Sequence, residues 1–516
     1  MAFGALTSRR GMPSGDHVDF YLRVSQYDAE VIAGHWPQIL PDVVRGGGHA
    51  FPRFYPPLAP FVAVAVYQAA PDIVLASHLS MLLGVLLSAA TMYVLLRAVT
   101  GQALPAVLGA LVYCLSPYRA TQLYVRGAFA EGWAMAWYPL IMLGLWRWGR
   151  EGRVPAWWSL AVAAAILSHT AASLWALPLL GLVAVVAAAS RPSFAACRTL
   201  GISAAASLGL AAFSLLPAIW YLSGVRAGHP DWMAATPEAI GGAAATWRHS
   251  EAMAVAQAII AVGAIVLIWS GRSPRGSAIA RLGGWSLLAQ VALIAMSSAP
   301  ARIWALVPQP WRYVQFGWRL LGPATFLAAL GLSLLATRFT TRIGRAAVIA
   351  AAGLVAVGGV FQLRQAEAHD PLLVHASMIP WIGGSYGDLG LSLSGDYLPA
   401  EADPRTLGTT IGRTRDSLVG AGVLRLDDDG RPLSVRVTAG TSDVPLPLVA
   451  YDVFRVEDQD GTALPVRSQG GQLVAVVTTT VTEIRVSRRL PGVVVVGLVI
   501  SGISLVMVLQ GLRTED

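Results

Sequence analysis

Residues 15–57, GDHVDFYLRVSQYDAEVIAGHWPQILPDVVRGGGHAFPRFYPP, bring acids, arginines and aromatics into one short stretch. Asp16, His17, Asp19, Asp28 and Glu30 come first, then Arg45, a Gly46-Gly47-Gly48 run, Arg53 and Tyr55. A carboxylate within hydrogen-bond reach of a hydroxyl can take its proton. An arginine fork binds phosphate through two parallel bonds and stays charged. The glycine run is a turn and not a phosphate loop, because neither a GK[ST] ending nor a strand–helix context follows.

The rest of the chain has to hold this stretch at a membrane. Of 516 residues, 55% are hydrophobic and 13% charged, about half the roughly 25% usual in soluble domains. Apolar runs near 20 residues recur, which predicts a polytopic helical membrane protein. The net charge is +8 and every basic residue is arginine. Those arginines fall in short loops between apolar runs, the pattern of membrane orientation and not of nucleic-acid binding. Cys114 and Cys197 lie far apart in or beside apolar runs, so neither a structural disulfide nor a cysteine metal site is expected. The first fifteen residues contain no stretch apolar enough for a signal peptide.

Eleven spans are expected, at about 73–97, 103–117, 132–148, 155–169, 172–190, 199–223, 251–270, 278–297, 319–337, 345–362 and 491–511. Residues 58–70 are too few to cross and read as an interfacial or re-entrant helix. The arginine-rich set of loops should be cytoplasmic. Residues 15–57, 118–131, 225–250, 298–318 and 363–490 then share the opposite side. The division is a loop with interfacial helices (1–57), a helical membrane domain (58–362), a β-rich extracytoplasmic domain (363–490), and a last span with its tail (491–516). In the β-rich part, 434–440, 449–458, 472–479 and 483–487 alternate as strands, and an antiparallel β-sandwich is expected. Asp427-Asp428-Asp429-Gly430 lacks the spaced ligands of a calcium loop and reads as a turn.

Several ionisable residues sit at predicted membrane edges: Arg126, Glu131, His169, Arg312 and Arg319. Such groups are costly at that depth and often functional. Pairing within RGAFAE, between Arg126 and Glu131, is the plain alternative for those two. For His169 the alternative is an interhelical hydrogen bond. Most Trp and Tyr in RFYPP and WRYVQFGW belong to the interfacial belt.

Arg23 and GHWPQILPDVVRGGGHAFPRFYPPL (34–58) resemble the first external loop of bacterial GT-C superfamily membrane glycosyltransferases, in particular the group labelled "6-pyruvoyl-tetrahydropterin synthase-related". YVRGAFAEGWAMAWYPL (124–140), ILSHT (166–170), VQFGWRLL (314–321) and the tyrosine-leucine-proline of DYLP (396–399) continue the resemblance over nearly the whole chain. Two departures stand out. Gln38 occupies the place of an Arg in the family pattern, and the family's first helix should precede the loop, where only fifteen residues stand before Asp16.

The resemblance implies an inner-membrane transferase that moves a sugar from a polyprenyl-phosphate donor to a glycan, lipid or protein acceptor outside the cytoplasm. It implies Asp16 as base, with Asp19 next, and Arg126, Arg53, Arg312 and Arg319 as phosphate ligands. Glu131 would order an arginine or hold a proton, and His169 would contact phosphate or acceptor. Tyr55 and Tyr397 would line the substrate. No cofactor is expected. Asp16, Glu131 and His169 could ligate a divalent ion, as in some members, although no local spacing supports it. The competing readings are a carrier or flippase for a lipid-linked glycan and a non-catalytic envelope scaffold.

Overall fold

The computed structural model describes residues 4–7, 16–188, 193–229, 236–246, 278–337, 353, 397–426, 431–438, 443–477 and 480–513. Its helices of ten residues or more are α1 (His17–Ile32), α2 (Leu58–Ala69), α3 (Ile73–Thr100), α4 (Ala103–Cys114), α5 (Phe129–Glu151), α6 (Ala156–Ser168) and α7 (Thr170–Ala188). They continue with α8 (Phe194–Leu210), α9 (Ala212–Tyr221), α10 (Pro237–Thr246), α11 (Ala278–Ser297), α12 (Leu321–Ala336), α13 (Leu407–Gly420) and α14 (Gly492–Arg513). Of the eleven expected spans, nine overlap these helices, with 199–223 falling across two of them, and 251–270 and 345–362 lie outside the described residues. Among the described residues three helices are long and apolar enough to cross a membrane, or up to five if each bent pair counts as one span.

Helix boundaries follow local chemistry. Asp72 opens α3 by accepting the Leu75 N–H at 2.9 Å, and Gly101 ends it in the left-handed region. Ser116 accepts the Arg119 N–H, and Pro117 takes the first helical position of a short turn. That turn runs into a π-helical segment, Thr121–Arg126, so the expected span 103–117 ends at Cys114 and the chain bends by 43°.

The expected span 199–223 is also broken, by 72° between α8 and α9. Ser501 of α14 explains the break. Its hydroxyl donates to the Gly209 carbonyl at 3.0 Å and accepts the Phe213 N–H at 3.1 Å, replacing the helical bond those two groups would have made.

The C-terminal region holds two antiparallel sheets. One has the order β1 (Leu424–Leu426), β2 (Pro432–Arg436), β7 (Glu483–Arg488), β4 (Phe454–Asp458). The other has the order β3 (Asp443–Val449), β6 (Gln472–Val476), β5 (Val466–Gln469). The sequence reading missed β3 because Pro445 and Pro447 speak against a strand; an edge position tolerates them. It also missed α13, whose buried stripe of Leu407, Gly408, Ile411 and Gly412 is narrow and half glycine. Residues 363–396 and the 427–430 turn lie outside the described residues.

Both sheets share one apolar core with α1 and α2, including Tyr27, Ile39, Leu446, Val456 and Ile484. A second core joins α3 to α7 with α11 and α12. Within 34–57, Leu40 bridges His49, and the segment is bound to the β region where Gly47 accepts the Val449 N–H at 2.8 Å.

Candidate active site

The site forms where the start of α1 meets the π-helical turn. Asp16 donates its backbone N–H to the Arg126 carbonyl at 2.6 Å, and His17 Nε2 donates to the Leu123 carbonyl at 2.8 Å. Phe20 stacks on Phe129 with ring centres 3.8 Å apart. Gly127 permits this contact. Its φ is +65°, and a Cβ there would lie 2.6 Å from the His17 backbone nitrogen.

At the centre is a buried ion pair. Arg126 Nη1 donates to Glu131 Oε2 at 2.9 Å and to the Tyr118 hydroxyl at 3.0 Å, and Tyr118 donates to Glu131 Oε1. Glu131 is fully buried. Each of its oxygens therefore accepts one hydrogen bond, and the carboxylate positions the Arg126 guanidinium. The Arg126 guanidinium lies over Trp318, 5.6 Å from the ring centre.

Arg319 reaches the same place from the turn before α12. Its Nη1 donates to the Val314 carbonyl at 2.9 Å and to Gln315 Oε1. Its buried Nε has no hydrogen-bond partner among the described residues. Gln315 has φ +67°, which is uncommon for a non-glycine residue. Strain of this kind gathers at ligand-binding sites. Arg319 interacts electrostatically with Arg126, Glu131 and Asp16, and these four form one charge group.

Two of the remaining expected residues join it. His169 Nδ1 accepts the Ala172 N–H at 3.0 Å, so the neutral ring carries its proton on Nε2. That ring lies edge-on to Tyr55, with centres 6.2 Å apart, within the field of Arg319 and Arg126. Burial raises the Tyr55 hydroxyl pKa above its ordinary value, so it stays protonated.

Asp19, in the first turn of α1, lies 3.4 Å from Arg23 Nη2. Burial pushes its carboxyl up to about 6; Arg23 opposes the shift and Asp16 adds to it. Arg23 lies over Phe51, 4.0 Å from the ring centre. Phe51 stacks on Tyr55 at 4.4 Å and meets Tyr397 at 5.9 Å, which puts Tyr397 at the end of an aromatic wall.

Two arginines stand elsewhere. Arg53 Nη1 pairs with Asp452 at 2.6 Å, its Nε donates to Gln38, and its guanidinium covers Tyr221. Arg53 thereby docks the loop onto the β region, while its buried Nη2 has no hydrogen-bond partner among the described residues. Arg312, in the Gln309–Arg312 turn, is half-buried and takes no part in the charge group among the described residues.

Among the described residues no three His, Cys, Asp or Glu side chains, those of Asp16, Glu131 and His169 included, come together as a metal-ligand set.

Sequence reasoning missed Tyr118, Arg23 as the partner of Asp19, and Gln315. Tyr118 stands thirteen positions before Glu131, a spacing with no meaning until the helix bends between them. For Arg23 the i, i+4 spacing from Asp19 was a usable signal.

No family model matches the chain, and no curated protein matches it. Two solved structures are similar to it. The arabinofuranosyltransferase AftD from Mycobacteria is 15% identical, with a TM-score of 0.47 over 92% of this chain and 39% of that one. ArnT from Cupriavidus metallidurans bound to undecaprenyl phosphate is 13% identical, with a TM-score of 0.39 over 92% and 95%. The chain thus spans about two fifths of the length of AftD. At these scores neither likeness assigns a role to any residue.

Proposed function

We propose that this protein is an inverting GT-C-type glycosyltransferase of the bacterial inner membrane, with its active site on the extracytoplasmic side. The donor is a polyprenyl-phosphate sugar and the acceptor a hydroxyl. The observation that carries the reading is that the Asp16 backbone N–H bonds the Arg126 carbonyl at 2.6 Å while Glu131 and Tyr118 hold the Arg126 guanidinium, with Arg319 in the same charge group. The arginine bias of the short loops supports the orientation.

In this reading Asp16 takes the proton of the acceptor hydroxyl as the oxygen bonds to the anomeric carbon. The bond from that carbon to the donor phosphate oxygen breaks, and its electron pair leaves with the lipid phosphate. Arg319 and Arg126 meet the growing charge; preorganised cations in a water-poor site are worth several kcal/mol to such a step. Glu131 and Tyr118 hold the Arg126 guanidinium in place. His169 offers its Nε2–H to phosphate or acceptor. Asp16 is preferred to Asp19 because its charge reaches both arginines, whereas Asp19 interacts with Arg23 and Asp16.

The test is incubation of the purified protein with labelled polyprenyl-phosphate sugars, scoring release of the lipid phosphate. Release that is lost in Asp16→Asn supports the reading. Equal release by the parent and that variant removes the base from it. No release from any donor favours a carrier or a scaffold.

A further inference from the structure

Arg119 is fully buried, and among the described residues its side chain bonds only neutral acceptors. Its Nη1 donates to Gln122 Oε1 at 3.0 Å and to the Gly132 carbonyl at 3.2 Å. Its Nη2 donates to the Ser88 hydroxyl at 2.7 Å. That hydroxyl donates in turn to the Gly84 carbonyl at 2.7 Å, which leaves its oxygen free to accept from the arginine. The guanidinium also covers Tyr113, 5.4 Å from the ring centre. A buried cation without a carboxylate is costly, and an apolar side chain of similar volume usually suits such a place better. Ionisable groups inside a membrane bundle therefore mark function by default.

The three acceptors lie on three elements. Ser88 belongs to α3, Gln122 to the π-helical segment and Gly132 to the start of α5. Each contact stands one step from the candidate active site. Arg119 follows Tyr118 and Gly132 follows Glu131, so the Arg119–Gly132 bond runs beside the Tyr118–Glu131 bond. The Gln122 carbonyl accepts the N–H groups of Gly127 and Ala128, which closes the turn that presents Arg126. Gln122 is thus gripped by Arg119 through its side chain and by the turn through its backbone.

We propose that Arg119 is a positioning residue for Arg126. It locks the π-helical turn and the start of α5 to α3, so the Arg126 guanidinium keeps its place as charge grows on the leaving phosphate. A cation helps such a step most when it has no need to move. A second tie joins α3 to α5, the bond from Thr91 Oγ1 to the Ala136 carbonyl at 2.9 Å, but it does not touch the π-helical turn. Loss of Arg119 therefore spares the packing of those helices and frees the turn. Lysine is no substitute, because a point charge lacks the planar fork that reaches all three elements. The effect on rate rests on the transferase reading; the clamp itself does not.

Two readouts on the full chain in detergent test this: amide hydrogen exchange over residues 121–130, and lipid-phosphate release from a polyprenyl-phosphate sugar. In Arg119→Met, exchange over 121–130 should rise about tenfold or more while that of α14 stays parental. Ser88→Ala, which keeps the arginine, should raise it less and serves as the test if Arg119→Met does not fold. In both Arg119→Met and Arg119→Lys, kcat should fall about tenfold or more. Added to Arg126→Gln, Arg119→Met should cost almost nothing further, because it acts through that guanidinium. The proposal is overturned if exchange over 121–130 stays parental, if Arg119→Lys keeps the parental kcat, or if the losses from Arg119→Met and Arg126→Gln multiply. A parent that turns over no donor refutes the transferase reading, and the exchange comparison alone then decides the clamp.

Discussion

Arg126 and Glu131 are five residues apart, on opposite sides of a break in helical structure, and meet through a 2.9 Å bond with neither side chain open to solvent. The π-helical turn ends at Arg126, Gly127 reverses the backbone, and Glu131 lies in the first turn of α5. The pair fixes where the guanidinium stands. Removing one partner of a buried pair typically costs about 3–5 kcal/mol, because the other charge is left uncompensated. Glu131→Gln should show a loss of that order in denaturant unfolding in detergent. The double change Arg126→Met, Glu131→Leu should recover most of the stability while remaining inactive. A single variant as stable as the parent would contradict the pairing.

Asp19 makes stability and rate depend on pH in a defined direction. Its folded carboxyl holds a proton to about 6, while an unperturbed one releases it near 3.8. Between those values the unfolded state binds fewer protons, so stability falls as pH rises through the window. Asp19→Asn should abolish that fall, which unfolding curves at pH 4 and 7 would read. In rate profiles the parent should gain activity through pH 6 as the Asp19 charge beside Asp16 appears. The Asp19→Asn profile should lose that limb, whereas Asp16→Asn should lose activity at every pH.

Gly127 is held by two constraints, its left-handed φ and its contact with His17. Gly127→Ala meets a backbone cost of about 1–2 kcal/mol and the clash besides. The variant should unfold earlier and release less lipid phosphate, because Asp16 is hydrogen-bonded to the same turn. Parental activity in this variant would show that the α1 contact is dispensable.

Arg53 and Asp452 join the loop to the β region, with Tyr221 donating to the same carboxylate. Asp452→Asn and Arg53→Gln should both raise susceptibility to limited proteolysis within 443–490. Neither should raise the KM for the donor. A donor-specific rise in Arg53→Gln alone would restore Arg53 as a phosphate ligand.

The helices were legible because burial against lipid leaves long apolar runs, and α3 and α14 lie close to where hydropathy puts them. The breaks were not. The α8–α9 bend depends on Ser501, nearly three hundred residues away, and no local pattern reports it. Glu131, His169 and Arg319 were legible as costly ionisable groups at membrane edges and Asp16 through the family resemblance, and the fold puts Asp16, Glu131 and Arg319 in electrostatic reach of one another. Arg53 looked the same in sequence, but its partner Asp452 is 399 residues distant. The ion-pair cluster at the end of α1 depends on a contact of the same range, between Glu30 and Arg488, so sequence alone hid it.

The most direct measurement is lipid-phosphate release from a polyprenyl-phosphate sugar by the parent, Asp16→Asn and Arg319→Gln, alongside unfolding curves for all three. The account predicts release by the parent and at least a hundredfold slower release by each folded variant, in keeping with a lost base or a lost charge-stabilising contact. Equal release by parent and variants, with all three folded, would contradict it.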